Sequence, residues 1–398
     1  MKRFVDTTFG VFFLLGIVFI PVHFIGGIFQ KQLTNFLFYH PVLFLQNGLF
    51  KQALTTPDFS SDTISLNILL LLLFLISGCI GIFIHYNAGK SFEINSFIRI
   101  IIAYYLSFIL LKYGFDKVFK AQFYLPEPNI LYERFGNLTK DILFWSTIGT
   151  SRFYSVSTGI IEVLTALLLL FRPTRTLGIL ISTIVFFHIV FINFGFDISV
   201  KSFSLFLFFA SVYLMSPTIK SLYGFLILQQ NQRLQKIDFK VHLPNFIRSG
   251  IKLFIIGLMF IQVILPYVNS GNYNDDISER PFLHGVYKIN STEINGDTLS
   301  FNSFPYKYLY IHRNNYLILE NQDGFRKEYY FNVNNVSNSL ELYDYDQHFK
   351  SASFEYNKKD SILRLHYEDY IIEAKAQNWR LMPALQNSTH LTIDQITH

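Results

Sequence analysis

Glu162 and His188 are the two residues on which chemistry would turn, because each lies well inside an apolar run. An ionisable group in hydrocarbon costs at least about 2.5–3.5 kcal/mol on insertion scales, so such groups usually face a bundle interior and mark function. If the apolar runs are helices alternating in direction, Glu162 comes about eight residues after the start of its run, roughly 12 Å below one surface. His188 comes about seven residues before the end of the next run, at nearly the same depth. Around that level stand Lys112, Asp116 and Lys117, with Lys112 and Asp116 spaced to pair on one helix face. Asn193, Asp197 and Lys201 follow His188, and His23 sits near the same end of the first run. The opposite half offers little beyond Ser77, Cys79 and, at its rim, His85.

Together His23, Lys112, Asp116, Glu162, His188, Asn193, Asp197 and Lys201 define an outward-facing polar layer and a candidate pocket. Glu162 and His188 would handle protons with shifted pKa values, and Lys112 and Lys201 would stabilise an anion or a reduced oxygen. The same residues also read structurally, as a Glu–His or Glu–Lys bond between helices and as side chains snorkelling to headgroups. His23, Glu162 and His188 come from three separate runs with no local spacing motif, so no metal is assigned to them.

The elements that must position these groups are long and apolar. A helix needs around 20 apolar residues to cross a bilayer core of about 30 Å, because every backbone polar group must be paired internally. Seven segments qualify: about 9–29, 64–86, 97–118, 154–171, 177–195, 200–216 and 250–269. The stretch 36–50 is also apolar but short and broken by Pro41, so it reads as interfacial or re-entrant. The run 9–29 is long for the core of a signal peptide and lacks a small-x-small cleavage site, which favours a retained first helix. Lys and Arg set the orientation. With Lys2 and Arg3 inside, the inner loops carry Lys90, Arg172, Arg175, Lys220, Arg233, Lys236, Lys240 and Arg248. The outer loop 119–153 is mixed, with Lys120, Arg134, Lys140 and Arg152 beside Glu127, Glu133 and Asp141. Seven spans place the C-terminus outside the cytoplasm, in a plasma (inner) membrane.

Composition agrees with a lipid-facing chain. Of 398 residues 51% are hydrophobic and only 15% charged, against about 25% charged in soluble globular proteins. The net charge of +5 is not a nucleic-acid signature, since the basic residues lie in short loops between apolar runs. One cysteine excludes an internal disulfide and a cysteine-based metal centre. No nucleotide loop, nucleophile elbow or zinc-helix motif is present.

Three stretches give the middle of the chain a resemblance. Tyr113-Gly-Phe-Asp-Lys-Val-Phe-Lys-Ala-Gln-Phe123 closes one span, and Gly159-Ile-Ile-Glu-Val-Leu-Thr-Ala-Leu-Leu-Leu-Leu-Phe-Arg172 leads to Thr176-Leu-Gly178. Asn193-Phe-Gly-Phe-Asp-Ile-Ser-Val-Lys201 then enters a helix ending at Met215-Ser-Pro217. Residues 97–217 resemble the DoxX-like membrane proteins, in the larger form with an extra C-terminal domain. The resemblance implies a four-helix membrane core, with Glu162, Asp197 and Lys201 matching the family's polar pattern. It further implies a quinone-linked redox component or an accessory subunit of one, with quinone as the cofactor to test.

After about residue 270 the chain becomes rich in Asn, Asp, Tyr, Ser and Lys and alternates with period two. The expected domains are therefore 1–270, helical, and 271–398, a small antiparallel β barrel or sandwich. Asn295-Gly296 and Asp323-Gly324 are hairpin dipeptides. Runs 308–312, 340–343, 352–356, 363–367 and 370–374 read as strands, with Trp379 closing the core. Two function classes follow. One is a membrane redox component holding a quinone among spans 97–217. The other is a non-enzymatic anchor or assembly factor whose β domain, 271–398, binds a membrane or periplasmic partner. Transport ranks behind both for want of inverted repeats.

Overall fold

The computed structural model describes residues 2–22, 27–50, 56–86, 91–231, 244–294, 296–299, 306–334 and 339–386; His23 and Asn295 lie outside the described residues. Two compact units emerge: Met1–Gln122 with Phe153–Tyr273, and Phe123–Arg152 with Asn274–His398. The second is discontinuous in sequence, because Phe123–Arg152, expected as a loop of the helical domain, joins the C-terminal strands.

The first unit is helical: α1 (Lys2–Phe19), α2 (Gly27–Phe50), α3 (Ile64–Tyr86) and α4 (Ser91–Val118) precede the excursion into the second unit. That excursion holds α5 (Pro128–Leu131) and α6 (Lys140–Thr150). The chain returns through α7 (Arg152–Leu170), α8 (Arg175–Gly195), α9 (Lys201–Met215), α10 (Ile219–Leu226) and α11 (Asn245–Ser270). Five of these are long and apolar enough to cross a membrane, six if the pair α9–α10, bent by 77°, counts as one span.

The expected seven spans are thus corrected, and the difference lies at the N-terminus. Segment 9–29 is not one helix. Proline has no N–H to continue a helix, and α1 ends just before Pro21. The Gln30 side chain donates to the Ile17 and Ile20 carbonyls and accepts the Val22 N–H, so a later residue caps the break. Thr34 adds a hydrogen bond to the Phe19 carbonyl. The stretch 36–50 is the second half of a 24-residue helix that continues through Pro41 rather than stopping there.

Small residues set the closest helix approach. At the α4–α7 crossing, a Cβ on Gly159 would lie 2.6 Å from the Gly114 carbonyl oxygen, so no side chain fits between the two backbones. The outer surface of the unit is apolar: Phe83, Leu253 and Phe254 are 67–70% exposed. Soluble monomers rarely expose large contiguous patches of this kind.

In the second unit the strands are β1 (Gly285–Ile294), β2 (Asp297–Thr298), β3 (Tyr308–Ile311), β4 (Tyr316–Glu320) and β5 (Arg326–Asn334). They continue as β6 (Ser339–Tyr343), β7 (Phe349–Asn357), β8 (Ile362–Tyr367) and β9 (Tyr370–Ala376). Every neighbouring pair is antiparallel, and β1 pairs with β9, which closes an eight-stranded barrel with β2 as a short appendage on β1. Of the two expected forms, barrel and sandwich, it is the barrel. Closure removes the unpaired edges a sheet would otherwise expose. Gly296 and Gly324 hold φ of +87° and +88°, the positive values the two hairpin dipeptides signal.

Inward positions are filled by side chains such as Tyr287, Leu309, Leu317, Phe331, Leu342 and Leu365. The hydroxyls of Tyr329 and Tyr367 meet there at 2.5 Å. Trp379 does not close this core. It packs on the other face, over Val286, Tyr310 and Ile318, which are cross-strand neighbours on β1, β3 and β4. Leu131 and Tyr132 of the excursion cover the same patch.

Candidate functional site

In the helical unit the ionisable groups gather at the two ends of α4. At its C-terminal end Lys117 Nζ lies 2.8 Å from Glu162 Oε2, and both side chains are buried. The pairing follows from the glycines, since the close approach at Gly114 and Gly159 brings Lys117 and α7 together, and Ser155 donates to the Lys117 carbonyl at 3.0 Å. One turn away Lys112 meets Asp116 at 3.3 Å, and Asp116 also accepts a hydrogen bond from the Tyr267 hydroxyl of α11. Asp62 accepts the backbone N–H groups of Lys201 and Ser202 at 2.9 and 2.8 Å, capping α9 from the loop before α3. A carboxylate there satisfies orphan donors and complements the helix dipole. The Lys201 ammonium is 2.7 Å from Asp197 and 3.7 Å from Asp62.

The residues expected to form one pocket therefore divide. Glu162 pairs with Lys117, Lys112 with Asp116, and Lys201 with Asp197 and Asp62. Asn193 is buried in the last turns of α8. His188 is exposed on α8 and does not join Glu162. Its neighbours explain why: Gly178, Ser182, Phe186 and Asn193 form the buried face, and His188 is about 200° round from Phe186 at 100° per residue.

The opposite end of α4 holds what the sequence reading missed. Arg99 pairs with Asp6 of α1, donates to the Tyr213 carbonyl and to Ser216, and stacks 4.0 Å from the Tyr213 ring. Asn95 donates to the same Asp6 at 3.0 Å. Arg175, also buried, donates to the Leu169 and Leu170 carbonyls at the end of α7. The signal was a single arginine at the start of an apolar run with an aspartate near the N-terminus.

Of the two residues expected to handle protons, Glu162 is engaged by Lys117 and His188 is exposed. Among the described residues no group of three His, Cys, Asp or Glu side chains is placed to hold a metal ion.

The second unit carries a denser cluster. Glu127, just before α5, meets His284 Nε2 at 2.8 Å and accepts the Arg313 backbone N–H at 3.2 Å. The Arg313 side chain lies 3.5 Å from Glu127, pairs with Asp275, and stacks 4.2 Å from the Tyr124 ring. Asp275 also holds Arg280 at 3.0 Å. Burial pushes the Glu127 carboxyl up, but the hydrogen bond and charge of His284, with His312 and Arg313, outweigh it and leave it below the ordinary range. Burial holds the neighbouring His312 imidazole below its ordinary value, with His284 and Arg313 adding to the effect against Glu127. Glu133 and Glu320 both meet Arg326, at 2.8 and 2.9 Å. Two acidic residues of 119–153, Glu127 and Glu133, thus have partners in the C-terminal part of the unit.

Next to this cluster a cleft of about 350 Å³ opens, lined by Arg280, Phe282, His284, Tyr287, Tyr356, Trp379 and Arg380 among others. His284 belongs to both, with its ring edge-on to Trp379 at 5.8 Å between centroids.

Fold and site together define a protein of two units, an apolar helical bundle and a closed antiparallel barrel with a basic, aromatic cleft. No protein-family model matches the chain, and no solved structure matches it. Among curated proteins it is similar to the uncharacterized protein YwoB of Bacillus subtilis (strain 168), with 35% identity over 100 residues. That stretch is 25% of this chain and 63% of the relative, so the chain spans less than two thirds of the relative's length.

Proposed function

We propose that the protein is a non-catalytic membrane anchor whose barrel unit, held outside the cytoplasm, does the binding. The observation that carries this reading is the spacing of charge along α4. Arg99 with Asp6 at one end, the arginine buried and the aspartate half-buried, and Lys117 with Glu162 at the other, both buried, are ion pairs, about 27 Å apart at 1.5 Å per residue. Between them 100–111 carries no charged side chain, while Lys112 and Asp116 belong to the Lys117 end. The distance between the outermost pairs is close to the roughly 30 Å hydrocarbon core of a bilayer. Arg99, Lys117 with Glu162, and Arg175 join helices, which favours the barrel unit as the working part.

One contact and the order of the chain support a common side for the two exits from the bundle. Tyr267 near the end of α11 meets Asp116 near the end of α4, so both chain segments leave the bundle at the same end. Phe123–Arg152 and Asn274–His398, which follow those two exits, form one compact unit. The basic loops at the other end argue for the cytoplasm there. The resemblance of 97–217 to DoxX-like proteins enters as a likeness of the helical scaffold, and the partner of the barrel is a protein or surface outside the cytoplasm.

The test uses Cys79→Ser as background, since it removes the single cysteine. Lys288→Cys on the barrel should react with an impermeant maleimide in intact cells, and Lys220→Cys only after permeabilisation. Equal labelling of both, or protection of residue 288, would overturn the topology. Purified protein should also give no spectral response to added quinol; a saturable response would overturn the non-catalytic part.

A further inference from the structure

The barrel cleft has the chemistry of an anion site. Two arginines, a hundred residues apart in sequence, line it with His284, and among the described residues no acidic residue is in the lining, although Asp275 holds Arg280 from outside it. Arg280 is braced on the Ser278 hydroxyl and on the Asp275 carbonyl and carboxylate, which fixes its head. His284 uses Nε2 on Glu127, which fixes its ring. Arg380 differs. Its guanidinium stacks 4.6 Å from the Trp379 ring, is exposed, and makes no ion pair or side-chain hydrogen bond among the described residues. An arginine held flat on an indole keeps its donors pointing outward at little cost in rotamer entropy. The rest of the lining is Pro281, Phe282, Leu283, Tyr287, Tyr356 and Trp379, mostly apolar and aromatic, with the Tyr287 hydroxyl donating to the Leu283 carbonyl.

We propose that this cleft binds a phosphate ester of a small polyol, with the phosphate between Arg280 and Arg380 and the carbon skeleton against the aromatic rings. Two guanidiniums suit phosphate better than carboxylate, because one arginine fork already occupies both carboxylate oxygens whereas phosphate offers more. The cleft volume suits a glycerol- or hexose-sized body. A lipid headgroup and a soluble polyol phosphate present the same chemistry. The inference rests on the reading of the barrel as the binding unit and fails separately from it, since the maleimide topology is indifferent to phosphate.

The chain has two tryptophans, so Trp145→Phe leaves Trp379 as a reporter inside the cleft. Full-length Trp145→Phe protein in zwitterionic nanodiscs should show a saturable change in emission with glycerol 3-phosphate and none with glycerol. Arg380→Gln should raise the half-saturation concentration by about tenfold, the loss expected for one charge-assisted contact. Calorimetry on the unmodified chain supplies the same comparison should Trp145→Phe perturb folding. Nanodiscs containing phosphatidylglycerol separate the sources: competition with the soluble ester identifies a headgroup site, and its absence a soluble ligand. Silence towards both forms would overturn the proposal, as would equal binding by Arg380→Gln or equal binding of glycerate.

Discussion

Lys117 holds Glu162 across the α4–α7 interface, Nζ to Oε2 at 2.8 Å, with neither side chain open to the surface. Removing one partner strands a buried charge, so Lys117→Met should destabilise the bundle by about 3–5 kcal/mol. Removing both, as Lys117→Met with Glu162→Leu, should restore most of that loss. His188→Ala should stay within about 0.5 kcal/mol of the parent, because the ring is exposed. Thermal unfolding in detergent reads all three, and a silent Lys117→Met would break the argument.

Gly159 makes that bridge possible. A methyl there would press on the Gly114 carbonyl oxygen at 2.6 Å, with the Lys117 Cβ and Val118 Cγ2 each 3.0 Å away. Backbone cannot yield as a side-chain tip can, so Gly159→Ala should cost about 1–3 kcal/mol and Gly159→Val more. Size-exclusion profiles should broaden in that order. A sharp, parent-like peak for Gly159→Val would mean the helices separate freely.

Glu127 pins the excursion between α4 and α7 to the barrel. Glu127→Ala leaves His284 without its carboxylate and Arg313 with Asp275 alone, at about 2 kcal/mol, which is roughly thirtyfold in a local opening equilibrium. Limited proteolysis near Arg134 should accelerate by a comparable factor while the strands stay protected. Unchanged cleavage at Arg134 would show that Leu131 and Tyr132 hold the segment unaided.

Acid should loosen the barrel unit in two steps. Folded His312 is held neutral by burial, and its Nδ1 accepts the Asn314 N–H. Unfolded imidazole takes a proton below about pH 6.5, so stability falls as pH drops through that value towards the folded pKa. Glu127 acts lower: its folded pKa is depressed, so its contribution is full above about pH 4.5 and is lost as pH falls through the folded value. His312→Asn should flatten the upper step alone. Denaturation followed from pH 8 down to about pH 2 checks both, and a curve for His312→Asn that matches the parent between about pH 7 and pH 6 would contradict the first.

Much of this was legible in the residues. The helices 64–86 and 177–195 appear as apolar runs because hydrocarbon-facing helices need only length and apolarity, and the strands appear through alternation and Gly turns. The break near Pro21 was not, because what fixes it is Gln30 folding back, a contact with no periodic trace. The orientation of His188 was legible in principle: its offset from Phe186 and Asn193 puts it off the buried face. Arg99 was lost inside a strongly apolar average, and the partners of Glu127 and Glu133 lie more than 150 residues onward, beyond any local pattern.

The barrel unit being drawn from two distant stretches has a consequence for biosynthesis. The ribosome delivers Phe123–Arg152 five helices, α7 to α11, ahead of the strands it packs with. Leu131 and Tyr132 must therefore wait, uncovered, until translation has passed Leu385. A nascent chain arrested after α9 would present that waiting segment to proteases and holdases, and a C-terminal fragment beginning at residue 271 would emerge with Val286, Tyr310 and Ile318 stripped of part of their cover.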